Sequence, residues 1–412
     1  MTRAAVLVVA LLAVPAASQP LGVEFRVNTY TTGTQASPAA ALEGDGFVVV
    51  WASAQLGNAD IFGQLFDRGG SPVGAEFRVN TTTTLVQTAS DVAEGIDGSF
   101  VVVWHGTQYG NGAASVFGQR YAASGAPFGG EFRVNSSTTV TAIAPRVACD
   151  AAGNFVVLWT GTFGSGISGR RYSASGAPRG AEFAVDSATT GNQNAPSASF
   201  DGGGGFVAAW ASDELGTKDV FVRRFDPTGA AVAAEFRVNI ATTGNQQYPT
   251  VATNAAGTFL VAWEDAGSFE VRARRYAANG AVLSAEMLVG TGTAPSAAAL
   301  PGGGYVVSWN GADSDIRARR VLPTGDFAGP EFRVNSTTSG VHNAPAVAAD
   351  DRGFVVVFNG SYAGGDGSGS GVFGQRYNLE RIAGDVNGDG VVNVSDVFYL
   401  INFLFAGGPA PL

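Results

Sequence analysis

One cysteine, two histidines and a single lysine are all that the 412 residues hold of those types. Cys149 alone excludes an intramolecular disulfide. It stands in PRVACD where sister repeats have Ala or Ser, which reads as a small core residue. His105 and His342 lie far apart in sequence on the loop face and read as surface residues, which gives little support to enzyme chemistry. Charged residues make up only 14% and the net charge is −10. The basic side is Arg apart from Lys218, and no basic run occurs, which argues against nucleic acid as a partner. After the N-terminus no apolar run reaches about 18 residues, so the mature chain is expected to be soluble, with no transmembrane span. No phosphate-binding loop, HExxH zinc motif or GxSxG elbow is present.

The N-terminus does carry one apolar stretch. Arg3, the run Ala4–Val14 and the small residues Pro15–Ser18 have the layout of a secretory signal cleaved before Gln19. Residues 1–18 are therefore expected to be a signal peptide, and the protein to be secreted or on the cell surface.

What the chain has in abundance is glycine (58) and repetition. The stretch Glu24–Asn28, EFRVN, returns with starts at 76, 131, 235 and 331, and in the variant forms EFAVD at 182 and EMLVG at 286. A period near about 50 residues marks a repeat architecture. Each repeat offers four strand-like blocks. A short Ala/Val block follows Pro or Ser, as in Pro38–Leu42. Next comes FVVVW (Phe47–Trp51) or a relative of it, a β-branched and aromatic run of the kind buried on both faces. An alternating third block follows (Ile61–Phe66), and its Arg in later repeats is expected to pair with the Glu of EFRVN. EFRVN itself is the fourth. Gly-rich links such as Asp67–Gly74 join the third and fourth blocks as hairpins.

Four antiparallel strands repeated seven times predict an all-β fold, a seven-bladed β-propeller of four-stranded blades over residues 19–380. The last repeat stops after Tyr377 without its own EFRVN, and the chain begins with an orphan copy. The N-terminal strand is therefore expected to close the last blade and remove an exposed edge. The Trp or Phe ending each second block is expected between sheets. These repeats resemble the FxVN…GGFVVVW repeats of large bacterial secreted and surface proteins over roughly residues 22–378, a resemblance that implies the propeller and says little of activity.

The links from fourth to first block, and the loops after the second, share one face of the ring. That face is rich in Thr, Asn and Gln and carries Tyr30, Tyr109, Phe163, Tyr248 and Tyr362, aromatic candidates for holding a sugar ring or a protein epitope. Carboxylates also follow the Trp blocks: Asp213, Glu214, Glu264, Asp265, Asp313 and Asp315. A glycosidase needs two near the scissile bond, and no spacing singles out a pair.

Residues 381–412 break the repeat. Asp385, Asn387, Asp389, Val391, Asn393 and Asp396 stand at the spacing of an EF-hand calcium loop, with Gly390 at the sharp turn. Val397–Phe405, apolar except for Asn402, is expected to be a helix that docks on the propeller or pairs with a protein partner. This tail resembles a type I dockerin repeat, with one copy where that family carries two. The resemblance implies an association with polysaccharide breakdown and with cohesin-type assembly. The leading expectation is an exported, non-catalytic binding or scaffold protein that recognises a polysaccharide or surface-protein ligand and uses Ca2+ in its tail. Two alternatives stand beside it: a glycoside hydrolase or polysaccharide lyase, and a structural cell-surface protein.

Overall fold

The computed structural model describes residues 20–95, 97–108, 112–161, 166–188, 190–361, 369–379 and 394–406. Each repeat folds on itself as an antiparallel meander, because its alternating blocks are joined by short Gly-containing turns. In the first complete sheet the strands are Gln35–Glu43, Gly46–Leu56, Asn58–Asp67 and Pro72–Arg78, in that spatial order. The second strand is buried along its centre, as a β-branched run walled by neighbouring sheets must be. Trp51, Trp104, Trp159, Trp210, Trp263, Trp309 and Phe358 are all at most 3% exposed, which places them in the core between sheets. Trp51, Trp104 and Trp263 each donate their indole N–H to a buried Gln that opens the first strand, at 3.0, 3.1 and 2.8 Å.

The sheets form a β-propeller. The short strand Phe25–Arg26 pairs with Gly371–Asn378, Phe25 opposite Gly374, and so takes the outer edge of the sheet that ends the ring. A cluster of Phe47, Val49 and Trp51 packs against Val355, Val357 and Val372, joining the first complete sheet to that last one. Gly374 is needed at this pairing, because a Cβ there would come within 2.6 Å of the Phe25 ring.

The expectation of seven separate four-stranded blades is corrected. Five sheets stand alone with four strands, and one continuous sheet of seven strands spans Gln246 to Arg333. Its cause is a short connection. Met287–Ala299 pairs with Glu270–Tyr276 through its first residues and with Tyr305–Gly311 through its last, without a break. From Gly290 to Pro295 is half the distance from Asn28 to Pro38, so the polar loop of other repeats has no room to form.

The expected Arg–Glu pairing is also largely replaced. Arg223 and Glu235 come to 3.9 Å and Arg272 and Glu286 to 3.6 Å, but other Arg and Glu residues of these blocks bond backbone groups of neighbouring repeats. Arg170, Arg223 and Arg274 each donate to a Val carbonyl of the preceding fourth strand at 2.9 Å. Glu76 accepts from the N–H of Thr29 at 2.9 Å and Glu131 from that of Thr81 at 2.8 Å. A carboxylate on orphaned N–H groups of a loop makes charge-assisted bonds, stronger than neutral ones.

The tail helix spans Val394–Ala406. Its described apolar side chains are exposed, Phe398 at 65% and Phe405 at 83%, so the expected docking on the propeller is not what these side chains do. Among the described residues no helix is long and apolar enough to cross a membrane. Of the expected calcium ligands, Asp385, Asn387, Asp389, Val391 and Asn393 lie outside the described residues, as does the side chain of Asp396.

Candidate functional site at the axial mouth

The first strands line the axis, and all seven carry the same irregularity where they enter from the loop face. Pairing with the second strand slips between Ala36 and Ala39, and likewise at Thr88/Asp91, Ile143/Arg146, Asn194/Ser197, Gln247/Thr250, Thr293/Ser296 and Asn343/Ala346. In each bulge one non-glycine residue is left-handed: Ser37, Ala89, Ala144, Ala195, Tyr248, Ala294 and Ala344, with φ between 49° and 53°. The next residue is Pro in six cases and Ser90 in the seventh. Proline lacks an N–H, so a bulge is where a strand tolerates it. Left-handed non-glycine residues cost of order 1–3 kcal/mol each and tend to mark functional sites. Here they bend every first strand so that its next residue rims the axis.

The residues after each Pro, or after Ser90, are Ala39, Asp91, Arg146, Ser197, Thr250, Ser296 and Ala346, and with the bulges they line a cavity of about 340 Å³. An inner strand has one unpaired edge, whose N–H groups need acceptors. The rim supplies them from one sheet to the next. Val147 N–H donates to Asp91 Oδ2 at 2.8 Å, Val251 N–H to Ser197 Oγ at 3.1 Å, Ala297 N–H to Thr250 Oγ1 at 3.3 Å, and Val347 N–H to Ser296 Oγ at 3.1 Å. Burial raises the Asp91 carboxyl above its ordinary value, against the opposing charge of Arg146 and the N–H groups of Val147 and Val92. Arg146 is exposed within the mouth. Its one Nη1 bond goes to the carbonyl of Pro145 at 3.1 Å.

Behind the rim stand the residues that follow each Trp. Glu264 accepts from Ala294 N–H at 3.0 Å and from the Gln247 amide at 2.8 Å. His105 Nδ1 accepts from Ala144 N–H at 3.4 Å. Burial lowers the His105 pKa to about 4, so the ring is neutral at pH 7. His342, expected at the surface, is 1% exposed and contacts the Ser314 carbonyl at 3.2 Å. The fourth-to-first loop folds it inward beside Asp315, at 3.7 Å.

Of the aromatic candidates, Tyr248 is 53% exposed and lines the cavity, while Tyr30 is 47% exposed and lies away from the cavity lining. Tyr109, Phe163 and Tyr362 lie outside the described residues. The six loop carboxylates do not line the cavity. Asp213 is held below the usual range by Asn192, and Asp313 by Arg317. Asp265 accepts from the N–H groups of Gly267 and Ser268 at 3.1 and 3.3 Å, which is turn chemistry. Burial, then the nearby Glu235, raises Glu214. Among the described residues no group of three or more His, Cys, Asp or Glu is placed to hold a metal ion. Sequence reasoning missed Asp91 and Arg146. The signal was available, since they are the charged members of a position otherwise held by Ala, Ser or Thr.

No protein-family model matches the chain, and no curated protein sequence matches it. Solved structures do. A protein of unknown function from Dyadobacter fermentans is 11% identical, with a TM-score of 0.55, over 87% of this chain and 98% of its own. The polysaccharide lyase Uly1 is 10% identical, with a TM-score of 0.55, over 88% and 100%. The α-L-arabinanase of Penicillium chrysogenum, complexed with arabinobiose, is 10% identical, with a TM-score of 0.52, over 89% and 99%. At such identities the likeness is one of fold, the β-propeller.

Proposed function

We propose that this chain is an exported β-propeller that binds a saccharide at the axial mouth of its loop face without cleaving it. The observation that carries the reading is the cavity itself: about 340 Å³, rimmed by hydroxyls, one carboxylate and one guanidinium, with the half-exposed ring of Tyr248 at its edge. A concave site with a few convergent polar groups is the usual form of a small-ligand pocket, and an aromatic face beside hydroxyl groups suits a sugar ring. The described lining holds a single carboxylate, Asp91, where a glycoside hydrolase commonly uses two. The enzymatic alternative, a glycoside hydrolase or polysaccharide lyase, takes its support from the names of the similar lyase and arabinanase. A structural role on the cell surface is the third reading.

The finer architecture belongs to the same proposal. The seven-stranded sheet counts as two repeat units sharing Met287–Ala299, which makes seven units in the ring. In support, seven apolar clusters link neighbouring units in a cycle. Residues 1–18 act as an export signal and Gln19 becomes the first residue, which the mass of the exported chain checks. The tail binds Ca2+ through Asp385, Asn387, Asp389, Val391, Asn393 and Asp396, supported by their spacing, and presents Val397–Phe405 to a protein partner. Calorimetric titration of the mature chain is expected to show one calcium site that chelator empties and that Asp385→Ala with Asp389→Ala abolishes. Unchanged titration in that variant contradicts the assignment.

The function is tested by incubating the mature chain with a panel of polysaccharides and measuring retention and released sugar in the same samples. Retention without release is expected. Release of sugar or of unsaturated ends overturns the non-catalytic reading, and absence of both moves the case to the structural alternative.

A further inference from the structure

The rim of the axial cavity is biased toward hydrogen-bond donors. Ser197, Thr250 and Ser296 each spend acceptor capacity of the hydroxyl oxygen on a backbone N–H of the next sheet. A hydroxyl has one hydrogen to give, and in these three it is left for whatever occupies the cavity. Arg146 adds a guanidinium, the one cation among the described lining residues. Its bond to the Pro145 carbonyl uses one N–H of five, and the group stays exposed in the mouth. At the equivalent place other repeats have side chains too short to reach across the axis. Asp91 is the counterweight. Its Oδ2 is taken by Val147 N–H, and the Val92 N–H also bears on the carboxylate, so its acceptor capacity goes largely to the strand edges.

From this arrangement we propose that the axial cavity selects a carboxylate-bearing saccharide, a uronate unit whose carboxylate is held by Arg146 and whose hydroxyls meet Ser197, Thr250 and Ser296. A guanidinium and a carboxylate match as a two-pronged pair. The chain as a whole carries a charge of −10, so general electrostatics oppose an acidic sugar and any preference for one must come from the local site. The cavity volume falls at the lower end of the range for small-molecule sites, which fits one or two sugar units entering end-on from a longer chain. The inference rests on the saccharide-binding reading and adds the charge of the ligand to it.

The test uses the mature chain with two probes of equal length, trigalacturonate and neutral galactotriose, titrated calorimetrically. Wild type is expected to bind the uronate at least about tenfold more tightly. Arg146→Gln removes that preference, and the same loss of charge at the exposed Arg179 leaves it in place. Asp91→Asn keeps the oxygen that Val147 needs and removes a negative charge beside the ligand, so uronate binding tightens severalfold. Equal binding of both probes, or indifference to Arg146→Gln, overturns this inference while saccharide binding stands. Binding of neither probe overturns the inference, and a panel that also retains nothing overturns the saccharide reading with it.

Discussion

Each buried Asn that ends a fourth strand serves several partners at once. Asn239 accepts from Val220 N–H at 2.8 Å and donates to Asp219 Oδ1 at 2.6 Å and to the Ala241 carbonyl at 2.7 Å. It starts the third strand and turns the chain toward the next repeat. Asn239→Ala leaves a buried N–H and a carboxylate short of partners, at a cost of about 2–4 kcal/mol read as a lower denaturant midpoint. His105 offers a second test at this scale. Its pKa is lowered to about 4 by burial, whereas an unperturbed His titrates near about 6.5. Between those values the unfolded chain takes a proton that the folded chain refuses, so folding loses stability as pH falls through the window. Stability curves of wild type and His105→Gln are expected to separate there, wild type falling faster. Parallel curves contradict the burial argument. The hydrogen-bonding role of the motif Asn was not legible in the sequence. A pattern shows that a residue recurs, and the partner 19 positions away is visible only once the strands are paired.

At the scale of strands, the repeat was read correctly in its order and less well in its joins. FVVVW announced a strand buried on both faces because nothing polar interrupts it, whereas the bulge at the Pro before the first block was not read from the sequence. The short connection after Glu286 was visible as the smallest interval, but its consequence, one strand serving two neighbours, depends on backbone direction. The Arg residues were legible as structural and only partly read in partner: Arg223 and Arg272 do reach a Glu, while carbonyls of the preceding repeat lie closer to Arg170, Arg223 and Arg274. The orphan EFRVN was the most informative feature, because it belongs to the far end of the chain. Glu24 accepts from Ser336 N–H at 2.6 Å, and Asn28 accepts from Val372 N–H at 2.8 Å. A chain lacking residues 19–28 loses these bonds and buried Val27 and bares the edge of Gly371–Asn378. It is expected to lose at least about 3 kcal/mol of stability and to self-associate through the open edge. Unfolding and light scattering identical to those of a chain that begins at Gln19 contradict closure by this strand.

For the whole molecule, strands at the axis put a residue from every repeat into one small space. Regularity builds the ring, and departures from regularity equip it. The variable loops, legible as the place for function, carry Tyr248. The first block, where Asp91 and Arg146 break an otherwise small-residue series, was not legible as part of a site. No spacing rule brings together two residues 55 positions apart; the closing of the ring does. The most direct measurement is a crystal structure of the chain from Gln19 onward, grown with saturating trigalacturonate. The account predicts a sugar in the axial cavity with its carboxylate on the Arg146 guanidinium. A sugar seated elsewhere on the ring, or an empty mouth, contradicts it.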